Sequence, residues 1–210
     1  DPRVIAVVDY GASNVQSVLR ALRAVGGQAV LSDDPAVVRR ATRVVVPGVG
    51  HFAPAMRALN DTGLGEAVRE AVDAGKPTLG ICLGLQLFLE QSEEAPGVPG
   101  LALLPGGVMR FRTTLPVPHV GWARVELTER GRTHPVLAGA FTTPEAYFYH
   151  VHSFHPDSAA GSGGALGEAE YGAVFPTILG CDNVLGVQFH PEKSQGAGLA
   201  LLEGFARWTP

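Results

Sequence analysis

Cysteine is nearly absent. Two residues, Cys82 and Cys181, in a chain of 210 exclude a disulfide framework and lead us to expect a reducing, cytoplasmic setting. An excess of basic charge is also missing. Against 16 Lys and Arg stand 20 Asp and Glu, for a net charge of −4, so neither nucleic acid nor an anionic membrane is expected as a partner. No apolar run reaches the roughly 20 residues that a membrane-spanning helix needs. The first residues carry no charged-then-apolar leader, and no internal repeat or interdomain linker is evident. This length is expected to bury one full-sized core, as a single domain over residues 1–210.

What is present is an alternation. Val4 to Val8 is a continuous β-branched run, as expected of a strand buried on both faces. Ser13 or Asn14 can cap a following helix with Val15, Val18, Leu19, Leu22 and Val25 at helical spacing, which Gly26-Gly27 ends. Ala29-Val30-Leu31 is a second strand, Asp34-Pro35 opens a short helix, and Val44 to Val46 is a third strand. Helical patterns cover 51–59 and 64–74, Thr78 to Ile81 is a fourth strand, and a helix runs from Cys82 to about Gln91. The fold class expected is α/β: a mixed, mostly parallel sheet with helices on both faces. Short strands in 101–127, 146–154 and 174–188 are expected as antiparallel additions to that sheet. The Gly/Ser/Ala-rich segment 157–167 reads as a mobile loop. A last helix over 197–208 is expected to turn Leu199, Leu202, Phe205 and Ala206 inward.

In such sheets ligands bind at the carboxyl ends of the strands. There 9–14, 47–52 and 80–86 converge. Cys82, at the start of a helix between Gly80 and Gly84, is placed as a nucleophile on a tight turn. The backbone N–H of Leu83, with a second donor from the glycine loop at Val49 and Gly50, can form an oxyanion hole. His190 can take and return the proton, and Glu192, two residues on, can orient its ring, with Pro191 making the local geometry a turn rather than a plain strand.

The pieces lie in one order along the chain. They are Asp9-Tyr10-Gly11 with Asn14, Pro47-Gly48-Val49-Gly50-His51-Phe52, Gly80-Ile81-Cys82-Leu83-Gly84-Leu85-Gln86, Pro118-His119-Val120-Gly121-Trp122, Tyr147-Phe148 with His152-Ser153-Phe154, and Gln188-Phe189-His190-Pro191-Glu192-Lys193-Ser194. Together they resemble class I glutamine amidotransferases, and among them the glutaminase subunit of imidazole glycerol phosphate synthase, from histidine biosynthesis. The resemblance implies a Cys82-His190-Glu192 triad that hydrolyses L-glutamine through a γ-glutamyl thioester, without a cofactor. It implies that Gly50, Gln86 and the segment His152, Ser153, Phe154 hold the glutamine. It further implies a heterodimer in which ammonia passes to a (β/α)8-barrel cyclase facing Asn14, Pro118, His119, Trp122 and Lys193. Where the family often has Asn after Gly-Trp, this chain has Ala123; Val120, Phe154 and Ser13 also depart from its usual residues.

Blander readings exist for the same residues. A lone cysteine after an apolar strand is commonly a buried structural thiol, as we read Cys181. His150, His152 and His155 are spaced as metal ligands could be, but no acidic or cysteine partner completes the sphere, and no metal is expected. Gly48-Val49-Gly50 lacks the lysine of a phosphate loop. Two alternative functions on this fold are a hydrolase or amidotransferase of another pathway, and a catalytically silent regulatory protein.

Overall fold

The computed structural model describes residues 4–210. The first part alternates as its pattern dictates: β1 (Val4–Val8), α1 (Val15–Ala24), β2 (Gln28–Ser32), α2 (Pro35–Arg40), β3 (Arg43–Val46), α3 (Phe52–Thr62), α4 (Leu64–Asp73), β4 (Thr78–Ile81) and α5 (Leu83–Phe88). The remainder holds β5 (Gln91–Ser92), β6 (Gly107–Arg110), β7 (His119–Leu127), α6 (Glu129–Arg132), β8 (Glu145–His152), β9 (Phe154–Pro156), α7 (Ser158–Gly164), β10 (Ala165–Glu170), β11 (Val174–Cys181), β12 (Val184–Val187) and α8 (Gln195–Arg207).

Nine strands form one sheet in the order β2-β1-β3-β4-β12-β11-β10-β7-β8. The pairings from β2 to β12 are parallel, and those from β12 to β8 are antiparallel. The continuous apolar runs are explained by burial on both faces. Ile5, Val7 and Val45 pack under α1 and α8 with Leu22, Leu202 and Phe205. Ala6, Val8, Val44 and Val46 pack on the other side with Val38, Met56, Leu59 and Leu64 of α2, α3 and α4. Alternate side chains of one strand thus serve two cores.

Several expectations change. The segment 174–188 is not wholly antiparallel: β12 lies parallel to β4 and antiparallel to β11. β6 and β9 leave the main sheet and form a separate three-stranded one with β5. α5 ends at Phe88, short of Gln91, because Glu90 N–H turns to Gly106 O (2.9 Å) and the chain joins β6. The expected mobile loop at 157–167 is α7 followed by β10. Asp157 caps α7 by accepting from Ala160 N–H at 2.8 Å, which outweighs the poor helix propensity of its glycines. In α8 the inward residues are Gly198, Leu201, Leu202 and Phe205, whereas Leu199 is 38% exposed. A Cβ at Gly198 would lie 1.9 Å from Pro191 O. That close approach sets the rotation of the helix and ties it to the turn after His190.

The tightest packing lies at the β4–α5 junction. A Cβ at Gly84 would stand 1.9 Å from Val46 O, and one at Gly80 would stand 2.8 Å from the Gly84 backbone. Gly84→Ala is therefore expected to destabilise the fold by about 3 kcal/mol or more, since backbone must move. Gly11→Ala provides the comparison. It has φ +98° but nothing within 4 Å of a Cβ, so only about 1 kcal/mol of backbone strain is expected. Urea denaturation of both variants measures the difference.

Candidate active site

Cys82 sits where β4 becomes α5, at φ 54° and ψ −109°. A non-glycine residue adopts this backbone at a cost, and it persists because its neighbours over-determine it. Cys82 N–H donates to Val187 O at 2.8 Å, and Gln86 N–H donates to Cys82 O at 3.3 Å. With Gly80 and Gly84 allowing the helix to press on β3, the turn projects the sulfur at the carboxyl edge of the parallel strands.

His190 leaves the end of β12 in extended conformation and is anchored by its N–H on Tyr149 O (2.9 Å). Pro191–Lys193 form one turn of 3-10 helix, and this turn, not a strand, brings Glu192 back to His190. Glu192 Oε1 lies 2.8 Å from His190 Nδ1, with the two side chains 0% and 2% exposed. Burial opposes a charge on His190. The charge and hydrogen bond of the Cys82 sulfur, with Glu192 behind, outweigh it and push the imidazole up to about 10. Ser194 Oγ donates to His190 O at 2.6 Å and accepts from Tyr149 N–H at 3.0 Å, stapling the turn to β8.

Asn14 stands at the start of α1, but its side chain does not cap the helix. Its amide donates instead to Glu192 Oε1 at 3.1 Å. The capping expectation thus gives way to a tertiary bond with the buried carboxylate. Tyr10 Oη donates to Pro47 O (2.5 Å) and holds the 47–50 loop against the site. Burial, with the charge of Cys82 added, keeps this phenol protonated. Within that loop Gly50 takes φ +135°, a conformation suited to glycine, and Val49 is half exposed. Leu83 N–H, expected as an oxyanion donor, lies 3.4 Å from Gly48 O.

Gln86 is buried and donates to both Phe154 O and Gln188 Oε1, each at 3.1 Å. Gln188 Nε2 in turn stands 3.7 Å from Cys82 Sγ. The histidines spaced like metal ligands are consumed in hydrogen bonds: His150 with Phe148 O and Thr177 Oγ1, His152 with Phe154 O and His119, His155 with Pro156 O. Burial lowers all four of these rings and brings His150 down to about 3. Among the described residues no group of three His, Cys, Asp or Glu side chains is arranged for a metal ion.

The residues singled out from sequence therefore converge in part. Cys82, Leu83, Gln86, His190, Glu192 and Asn14 meet at one sheet edge beside the Val49-Gly50 loop, and Phe154 adjoins Gln86, while the Ser153 carbonyl accepts from Phe111 N–H. Pro118, Trp122 and Lys193 are exposed, whereas His119 and Asn14, expected with them at the partner face, are buried, His119 turned onto His152 and Asn14 onto Glu192. Two contributors lie within the sequence motifs without a role assigned to them there: Tyr10 and Gln188. A glutamine within the otherwise apolar run Val184 to Phe189 is the available signal for the second.

The model of the family described as glutamine amidotransferase class-I matches residues 6–207. Imidazole glycerol phosphate synthase subunit HisH of Symbiobacterium thermophilum is 47% identical over 203 residues, covering 97% of this chain and 93% of the relative. The HisH subunit of Nitrosomonas europaea is 44% identical, over 98% of this chain and 99% of its own. Among solved structures, a glutamine amidotransferase superposes with a TM-score of 0.73 at 20% identity, covering 95% of this chain and 98% of that one. The glutaminase domain of a Trypanosoma brucei CTPS gives 0.69 at 16% identity, covering 99% of this chain and 95% of that one. These two structures bear on the fold alone. The chain belongs to the class-I glutamine amidotransferases, and within them to the HisH subunits of imidazole glycerol phosphate synthase.

Proposed function

We propose that this chain, folded as one domain, is the glutamine-hydrolysing subunit of an imidazole glycerol phosphate synthase, with Cys82 as nucleophile, His190 as acid and base, and Glu192 as the group that orients His190. The observation carrying this reading is the buried 2.8 Å His190–Glu192 pair coupled to a Cys82 held on a strained turn at a helix start. Membership of the HisH family supplies L-glutamine as the substrate.

With the proton resting on His190, the Cys82 sulfur attacks the side-chain amide carbon of glutamine. The C–S bond forms, and the carbonyl oxygen becomes an oxyanion. His190 gives its proton to the amide nitrogen, the C–N bond breaks, and ammonia leaves behind a γ-glutamyl thioester. Water then attacks the thioester and passes a proton to His190. The C–S bond breaks, glutamate departs, and the starting protonation returns. No step requires a cofactor.

The oxyanion donors in this reading are Leu83 N–H and the backbone at Val49 and Gly50. The 3.4 Å contact between Leu83 N–H and Gly48 O is long for a hydrogen bond, and the oxyanion would displace it. Its presence supports slow hydrolysis by the isolated chain and acceleration when a partner shifts the loop, the basis of an allosteric activation. Gln86, Gly50 and the segment His152, Ser153, Phe154 flank the bound glutamine. Ammonia passes to a (β/α)8-barrel cyclase, which turns a ribulosyl formimino nucleotide into imidazole glycerol phosphate and an aminoimidazole carboxamide ribotide. The face offered to that partner carries Pro118, Trp122 and Lys193, while Asn14 is buried and held on Glu192; the large exposed apolar residues Val120, Trp122 and Tyr147 favour an interface there. Both proteins act in the cytoplasm.

Cys82→Ala is expected to abolish glutamine-dependent synthesis by the two-protein complex while ammonia-dependent synthesis continues, because added ammonia bypasses acyl transfer. Loss of both activities would make Cys82 structural. Unassisted, partner-independent turnover of glutamine at full rate would move the chain to a stand-alone hydrolase.

The charge on His190 also makes stability depend on pH. Its folded value, about 10, lies above the ordinary histidine value near 6.5. The folded state therefore binds the proton more tightly, and this stabilisation is complete below about pH 6.5 and lost as pH rises towards 10. Glu192→Gln removes one of the anions holding that proton. Urea midpoints across this range are expected to fall at lower pH in the variant than in the natural chain.

A further inference from the structure

We infer that Gln188 is a further catalytic residue, whose side-chain amide presents an N–H to the Cys82 sulfur and steadies negative charge there. This rests on the reading of Cys82 as the nucleophile.

Gln188 is 0% exposed, in a run where its neighbours Val187 and Phe189 are equally buried. A buried amide is costly unless its oxygen and nitrogen both find partners. Its backbone N–H is already used on Thr177 O at 2.8 Å, so the side chain is free to serve the site.

Which end of the amide faces the sulfur follows from the bonds around it. The Phe154 carbonyl can only accept. It receives His152 Nδ1–H at 2.7 Å and Gln86 Nε2–H at 3.1 Å. His152 Nε2 is then the acceptor for His119 Nδ1–H, 3.3 Å away. With its nitrogen fixed on Phe154 O, Gln86 has one proton left. That proton points to the Gln188 side chain at 3.1 Å, so Gln188 must answer with its oxygen. Its nitrogen is left facing Cys82 Sγ at 3.7 Å, within reach of a hydrogen bond to sulfur. Reversing the Gln188 amide would set two NH2 groups against each other.

The chemistry gains twice. A donor on sulfur favours the thiolate that attacks the amide carbon. In the second half of the reaction the sulfur departs from the tetrahedral intermediate as a thiolate, and the same N–H meets the returning charge. His190 holds the proton, and Gln188 donates a hydrogen bond to the charged sulfur that the proton leaves behind.

The test uses the full chain bound to its cyclase partner. Iodoacetamide is applied at fixed neutral pH, and the alkylated residue is identified by peptide mass. If alkylation of Cys82 in the natural protein leaves glutamine turnover intact, the nucleophile reading fails, and this inference fails with it. If alkylation stops turnover, two variants follow. Gln188→Met keeps the length without the donor, and Gln188→Asn keeps the amide but draws it back by one methylene. Both are expected to slow Cys82 alkylation and kcat for glutamine by about tenfold or more, the size of one hydrogen bond to a charged group. KM for glutamine should stay within about twofold, and ammonia-dependent synthesis should be retained. Alkylation and kcat within about twofold of the natural protein, in either variant that retains ammonia-dependent synthesis, would overturn the inference. A parallel loss of ammonia-dependent synthesis in both variants would overturn it too, making Gln188 a packing residue.

Discussion

The site depends on how closely α5 can approach β3. The Gly84 position leaves no room for a side chain against Val46 O, and the Gly80 position none against Gly84. Only with both glycines can the strand turn into the helix within one residue. That residue is Cys82, carried at φ 54°. Strain at the nucleophile is thus held in place by packing, as expected where a fold over-determines a costly conformation.

The second requirement is electrostatic. Glu192 and His190 are almost wholly removed from water, and a charge left alone in such a place is expensive. Each member of the group compensates another. Glu192 accepts from His190 and from Asn14, and His190 is held charged by Cys82 and Glu192 against its own burial. The neighbouring histidines behave in the opposite way. His119, His150 and His152 lack anionic partners, and burial keeps them neutral. One family of side chains therefore supplies a proton carrier at position 190 and fixed hydrogen-bonding scaffolding at 119, 150 and 152. The scaffolding ends, through Phe154 O, Gln86 and Gln188, on the same sulfur.

Much of this is legible in the residues themselves, and for physical reasons. Val4 to Val8 and Val44 to Val46 are apolar without alternation because both faces are covered, so they announce a parallel sheet. Cys82 between two glycines announces its turn, because only glycine tolerates such approach. What local sequence does not express is tertiary. Nothing within Val184–Val187 dictates that it inserts parallel beside β4. The glycine-rich stretch at 158–164 gains its helix from the Asp157 cap and its place against β11. The rotation of α8 is set by contact between Gly198 and Pro191, which turns Leu199 outward. Asn14 reads as a helix cap by composition, but a buried carboxylate 178 positions away is the stronger claimant. His119 reads with the exposed residues around it, although the alternation of β7 turns it inward.

The central claim is that Cys82, seated on this turn, carries the γ-glutamyl group during hydrolysis. The most direct measurement is acid quenching of the complex with its cyclase partner during turnover of isotopically labelled glutamine, followed by peptide mass mapping. A labelled glutamyl adduct is expected on the peptide containing Cys82, lost on treatment with hydroxylamine. Steady release of ammonia with no adduct on that peptide, or with the adduct on Cys181 or elsewhere, would contradict it.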